Sequence, residues 1–104
     1  IKVDEMMRTG AAGVWAAGNC TEAFHLVSRR PVAFALGTVA NKQGRVAGIN
    51  MAGGRAVFPG VVGTAMVKVF DWEVARTGLQ EKEAKQAEIS PLSMKIESRT
   101  RADY

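Results

Sequence analysis

The sequence predicts an α+β chain built from two unlike pieces, a strand–loop–helix unit followed by a ββαβ unit. Three observations predict it. Val14-Trp15-Ala16-Ala17 is an apolar run without alternation that stops at Gly18-Asn19, an amphipathic stretch opens at Thr38 and closes at Gly53-Gly54, and two strand-like runs between Thr64 and Thr77 are split at Asp71. Apolar residues are 47% of the 104, an ordinary share for a globular core, which excludes disordered and fibrous classes. A chain this short holds one modest core, and any apolar face made for an absent neighbour stays exposed.

Taken in order, Ile1-Lys2-Val3 reads as a short strand, and Asp4 to Gly13 as a turn-rich stretch punctuated at Thr9-Gly10. The Val14–Ala17 run reads as a strand buried on both faces of a parallel sheet, ending where open α/β sheets place ligands. Residues 20–35 carry mixed signals and read as a loop packed on the core, extended before Pro31. Val39, Val46 and Ile49, with small Ala40, Ala47 and Gly48 between them, mark the helix, for which the Thr38 hydroxyl is the expected cap. Gly44 and Gly48, four residues apart, leave one face of it open to a neighbouring backbone.

Composition changes after Arg55. Thr64–Phe70 and Glu73–Thr77 read as a hairpin, and Gln80–Ala87 as a surface helix with Glu81 and Lys85 placed for an i,i+4 pair. Met94–Ser98 then alternates as a half-exposed strand.

Charge and cysteine usage narrow the function classes. The net charge of +4 is spread along the chain, and the aromatics lie in apolar runs and not between clustered cations, so nucleic acid is not expected as a partner. No stretch has the length of a membrane span, and the first residues lack the features of a signal peptide. The single cysteine, Cys20, cannot form an internal disulphide or a zinc cluster, which fits a reducing, cytoplasmic setting; it reads as an ordinary thiol. His25 has no recognisable nucleophile or carboxylate partner and reads as a loop histidine packed beside Phe24. The abrupt opening at Ile1, without an initiator Met, points to a fragment of something longer.

Two of these segments carry a family resemblance. Val14-Trp15-Ala16-Ala17-Gly18-Asn19-Cys20 resembles the second FAD motif of flavoproteins with two dinucleotide-binding domains. Leu36-Gly37-Thr38-Val39-Ala40-Asn41-Lys42-Gln43-Gly44-Arg45-Val46-Ala47-Gly48 is similar to the segment that follows it in the coenzyme A disulphide reductase, NADH oxidase and NADH peroxidase branch of the pyridine nucleotide-disulphide oxidoreductases. Gly63-Thr64-Ala65, Lys68–Asp71, Ala75–Leu79, Glu83-Ala84 and Ser98–Ala102 resemble the first half of that family's dimerisation domain. Gln80 stands where a stronger cap is common, which implies a loosely started helix.

The resemblance implies that residues 1–55 are the C-terminal part of an FAD-binding domain and residues 56–104 the N-terminal part of a dimerisation domain. It implies a parent oxidoreductase that passes electrons from NAD(P)H through FAD to a disulphide, oxygen or peroxide. Cofactor contacts fall on Gly18 and Asn19, and on Gly37 and Thr38. Asn19 occupies the place of the family's Asp, whose side chain meets a ribitol hydroxyl. Unpaired N–H groups at Gly37, Thr38 and Val39, with the helix dipole, would favour the negative charge of a reduced flavin. Tyrosines near Tyr104 approach the partner subunit's active site in some members. No GxGxxG fingerprint is present, so neither the adenosine half of the FAD site nor an NAD(P)H domain is encoded, no catalytic residue is assigned, and the isolated chain is expected to bind no cofactor and to be inactive. A homodimer or higher oligomer is expected. The competing reading is a non-catalytic dimerisation or interaction module.

Overall fold

The computed structural model describes residues 1–98. Its elements run β1 (Glu22–His25), β2 (Arg30–Ala33), α1 (Gly37–Met51), β3 (Ala65–Val69), β4 (Trp72–Arg76) and α2 (Glu81–Gln86). The fold class is α+β, with two antiparallel two-stranded sheets, β1-β2 and β3-β4, in place of one continuous sheet.

The residues expected to form a packed loop instead make the β1-β2 hairpin, in register from Glu22 opposite Ala33 to His25 opposite Arg30. Pro31 is tolerated because β2 is an edge strand, where a missing N–H costs no ladder bond. On the other edge of β1, Val61 N–H donates to Phe24 O (2.8 Å) and Val61 O accepts from Leu26 N–H (2.8 Å). That makes β1 central and buries His25, which is strand and not loop.

Helix α1 starts one residue before the expected cap. Leu36, in extended conformation, is the N-cap, no side chain caps the end, and Thr38 already lies inside the helix. The far end closes as expected at Gly53-Gly54: Gly53 N–H bonds Asn50 O (3.2 Å) and Gly54 N–H bonds Ile49 O (2.9 Å), the paired bonds of a Schellman motif. Val46 and Ala47 of this helix pack with Met7, Ala23, Phe58 and Val61 to form the core, flanked by Trp15, Val39 and Phe34.

Two buried amides share that face. Gln43 is the most completely buried large side chain, at 1% exposure, and Asn50 lies two turns on. Asn50 Nδ2 donates to Met6 O and Ala56 O, and its Oδ1 accepts from Ala56 N–H, all at 2.9 Å. The helix thus holds the chain before β1 and the chain after α1 in place.

Three expected strands do not form among the described residues. Ile1–Val3 makes only single links, such as Glu22 N–H to Ile1 O (2.9 Å). Val14–Ala17 keeps one isolated bridge, Arg8 with Trp15, and Val14 is exposed. Met94–Ser98 is without regular structure and presents Met94 and Ile96 to solvent. The reason is common to all three: an alternating or apolar pattern states which faces want burial, but a strand exists only where a second strand completes its hydrogen bonds. The second unit is therefore ββα and not ββαβ.

The β3-β4 hairpin does form, with Val69 opposite Trp72 and a two-residue turn in which Phe70 has φ 53°. Helix α2 starts more firmly than Gln80 suggests, because Glu83 reaches back to accept the Gln80 N–H at 2.8 Å. The Glu81–Lys85 pair is present at 2.7 Å. The radius of gyration is 17.2 Å, where a compact chain of this length has about 13 Å.

Candidate functional site

Gly18 and Asn19, singled out by sequence, open a tight turn, Gly18–Thr21, seated on the first turns of α1. Gly18 has φ 91°, a left-handed conformation that disfavours any side chain, and a Cβ there would lie 3.7 Å from that of Ala40. Gly18 O accepts from Thr21 N–H (2.9 Å) and from the Thr21 hydroxyl (2.8 Å). Gln43 then pins the turn from the helix side: its Oε1 accepts from Gly18 N–H (2.9 Å) and from the buried Thr21 hydroxyl (3.1 Å).

This bonding leaves Asn19 at the tip, exposed, its amide without a hydrogen bond among the described residues. Cys20 beside it is also exposed, its thiol directed to Ala17 O at 3.4 Å.

The start of α1 lies at the same end of the molecule. Gly37 and Thr38 are exposed and their N–H groups have no acceptor among the described residues, as the first positions of a helix leave them. Val39 differs from the expectation: its N–H is taken by Leu36 O at 3.0 Å, which tightens the first turn and leaves two free donors in place of three. The arrangement joins a hydrogen-bonding amide on a rigid turn to two backbone donors at the positive end of a fifteen-residue helix. It can take a ligand that carries both hydroxyl and anionic groups.

Gln43 is the residue that sequence reasoning missed. Its signal was available: positions 43, 46, 47 and 50 share one helical stripe, and two amides on a buried stripe must be satisfied by something. His25 is not part of this site. It is buried at the other sheet, where its Nδ1 accepts from Ser28 N–H at 3.2 Å. Tyr104 lies outside the described residues, as do Arg99–Ala102. Among the described residues, no group of His, Cys, Asp and Glu could hold a metal ion, and no helix is long and apolar enough to cross a membrane.

No protein-family model matches the chain. Over all 104 residues it is 40% identical to the NAD(P)H coenzyme A polysulfide/persulfide reductase of Pyrococcus horikoshii, of which it spans 23%. The solved NAD-dependent persulfide reductase of A. fulgidus superposes with a TM-score of 0.82 at 51% identity, covering 85% of this chain and 16% of that one. An FAD-dependent pyridine nucleotide-disulphide oxidoreductase from Desulfovibrio vulgaris gives a TM-score of 0.77 at 43% identity, over 83% of this chain and 22% of that one. Over its whole length the chain is a homologue of a segment of these oxidoreductases.

Within the pyridine nucleotide-disulphide oxidoreductases, the chain accounts for less than a quarter of the length of the curated relative it matches over its whole extent. The structural likeness covers 83–85% of this chain.

Proposed function

We propose that this chain supplies one face of the flavin site in an oxidoreductase that passes electrons from NAD(P)H through FAD to a sulphur acceptor of the persulphide or polysulphide class. The observation that carries the reading is the Asn19 turn, pinned by Gln43 beside the free N–H groups of Gly37 and Thr38. The acceptor class rests on the names of two relatives similar in sequence and in structure.

The residues fit the group. An unpartnered amide oxygen at Asn19 accepts from a ribitol hydroxyl, and the two backbone donors with the helix dipole suit the electron-rich edge of a reduced isoalloxazine. FAD, when bound, supplies the hydride-accepting and electron-relaying chemistry. This chain binds and orients it: Gly18 allows close approach of the backbone, Gln43 fixes the turn, and Gly37 and Thr38 stabilise negative charge. No residue here takes or gives a proton in the reaction.

Residues 1–55 form the flavin-side unit and residues 56–104 an assembly unit. The exposed face of the β3-β4 hairpin supports a homodimer or higher oligomer. The chain alone lacks a phosphate-binding loop, and it binds FAD too weakly to saturate at micromolar concentration.

The test is Asn19→Asp in a longer protein that contains this segment. A carboxylate accepts a stronger hydrogen bond than an amide, so the FAD dissociation constant stays equal or falls by up to about tenfold. Release of flavin would mean that Asn19 acts as a donor, and the proposed contact would be wrong.

A further inference from the structure

Between the β1-β2 hairpin and helix α2 lies a cavity of about 370 Å³, in the range that holds small ligands. His25 reaches it from β1 and Arg76 from β4. His25 is 4% exposed. Its Nδ1 accepts the Ser28 N–H, so in the neutral ring the proton sits on Nε2, and that N–H has no partner among the described residues. The space beside it is kept open by Gly63: a Cβ there would stand 3.1 Å from both His25 Nε2 and Gly78 O. Arg76 carries a second orphan. Its terminal nitrogens bond Glu83 and Gly78 O, but its Nε is buried without an acceptor.

A buried donor without a partner is uncommon because it costs its full desolvation, and Arg76 Nε, with the unpaired His25 Nε2–H on the same cavity, calls for an acceptor from outside the chain. The surrounding charges decide which. Glu83 is committed to Arg76 and to the Gln80 N–H, and Arg30 to Gln86 O and Glu88. A cation would therefore find no free acid there, and a second negative charge would stand unpaired against the Glu83 carboxylate, whereas a single carboxylate can share the Arg76 guanidinium with Glu83.

We propose that this cavity binds a small monocarboxylate, its oxygens taken by His25 Nε2–H and Arg76 Nε–H and its hydrocarbon part laid against Pro31, Val32, Phe34 and Leu79. The site is separate from the Asn19 turn and needs no flavin.

The chain has one histidine, so its ring signals report the cavity directly. Titration with isobutyrate, against sodium chloride at matched ionic strength, is expected to shift the His25 ring resonances saturably in the millimolar range, with no saturable effect of chloride. Arg76→Lys keeps a cation opposite Glu83 but removes the Nε donor, and weakens binding about tenfold. His25→Asn keeps an acceptor for Ser28 N–H while removing Nε2, and lowers isobutyrate saturation transfer by a similar factor. Two outcomes overturn the proposal. One is a shift that rises linearly and matches chloride; the other is unchanged isobutyrate affinity in both folded variants, as expected if buried water satisfies the donors.

Discussion

The chain before residue 62 and the chain after it solve the problem of small size differently. In the first, helix α1 lays Val46 and Ala47 on Met7, Ala23, Phe58 and Val61, and fixes the segments around them through two buried amides. In the second, the β3-β4 hairpin turns one apolar face, Val67, Val69, Trp72 and Val74, to solvent; Trp72 is 77% exposed and the neighbouring Phe70 90%. Accessible surface totals 8391 Å², against about 5,700 Å² expected of a compact monomer of this mass. The first region has a core of its own. The second has strands and a turn, and its apolar face is left uncovered by the described residues.

The largest test of that contrast is Asn50→Ala. It leaves two carbonyls and one N–H unpaired inside the first region, and a loss of about 3 kcal/mol is expected in chemical denaturation. A loss below about 1 kcal/mol would mean that the clamp is not what joins the segments.

Gln43→Ala is expected to cost about 2 kcal/mol, since it orphans the Gly18 N–H and leaves the Thr21 hydroxyl with Gly18 O alone. Amide exchange at Gly18 should accelerate in step. Unchanged protection there would show that the turn holds without the helix.

In the second region the expected effects are smaller. Hydrogen bonds from Arg76 hold the Glu83 carboxyl below its ordinary value of 4.5, with Gln80 N–H adding to the effect. A depressed folded value means that the stabilisation is present above pH 4.5 and is lost as pH falls through the folded value. Glu83→Gln should therefore lower the denaturation midpoint at pH 7 and leave it unchanged in strong acid, where the wild-type carboxyl is protonated. An equal gap at both pH values would remove the ion pair as its cause.

Trp72→Ala sharpens the comparison most. In dilute monomer it should change stability by no more than about 0.5 kcal/mol, because the ring touches little, whereas in any oligomer it should favour dissociation on dilution. A loss of about 2 kcal/mol in the monomer would show that the face is already covered.

The two regions also differ in how far they could be read from sequence. Helix α1 was legible from Val39, Val46 and Ile49 with the Gly53-Gly54 stop, and the β3-β4 hairpin and the Glu81–Lys85 pair were legible because their determinants are local. The β1-β2 hairpin was hidden by Pro31 and by the lack of a strong turn signal; its turn uses Arg29 at φ 57°, a conformation that residue type does not announce. Val14–Ala17 and Met94–Ser98 failed for the opposite reason, since their patterns are strand-like but no partner strand completes them. Gly18, Asn19, Gly37 and Thr38 were placed by resemblance, and the structure sets them at one end of α1. What it adds is the partner of Gln43: its place on the buried stripe is a local signal, but its contact with Gly18, twenty-five residues away, is not.

The most direct measurement is FAD affinity after Asn19→Ala in a longer protein containing this segment. Asn19 is exposed and makes no hydrogen bond among the described residues, so the substitution removes a ligand contact without disturbing the fold. The account predicts an unchanged thermal midpoint for the flavin-free protein and an FAD dissociation constant raised about tenfold, the worth of one hydrogen bond to a ribitol hydroxyl. An unchanged dissociation constant with an unchanged fold would contradict it, because the pinned turn would then hold its amide toward nothing.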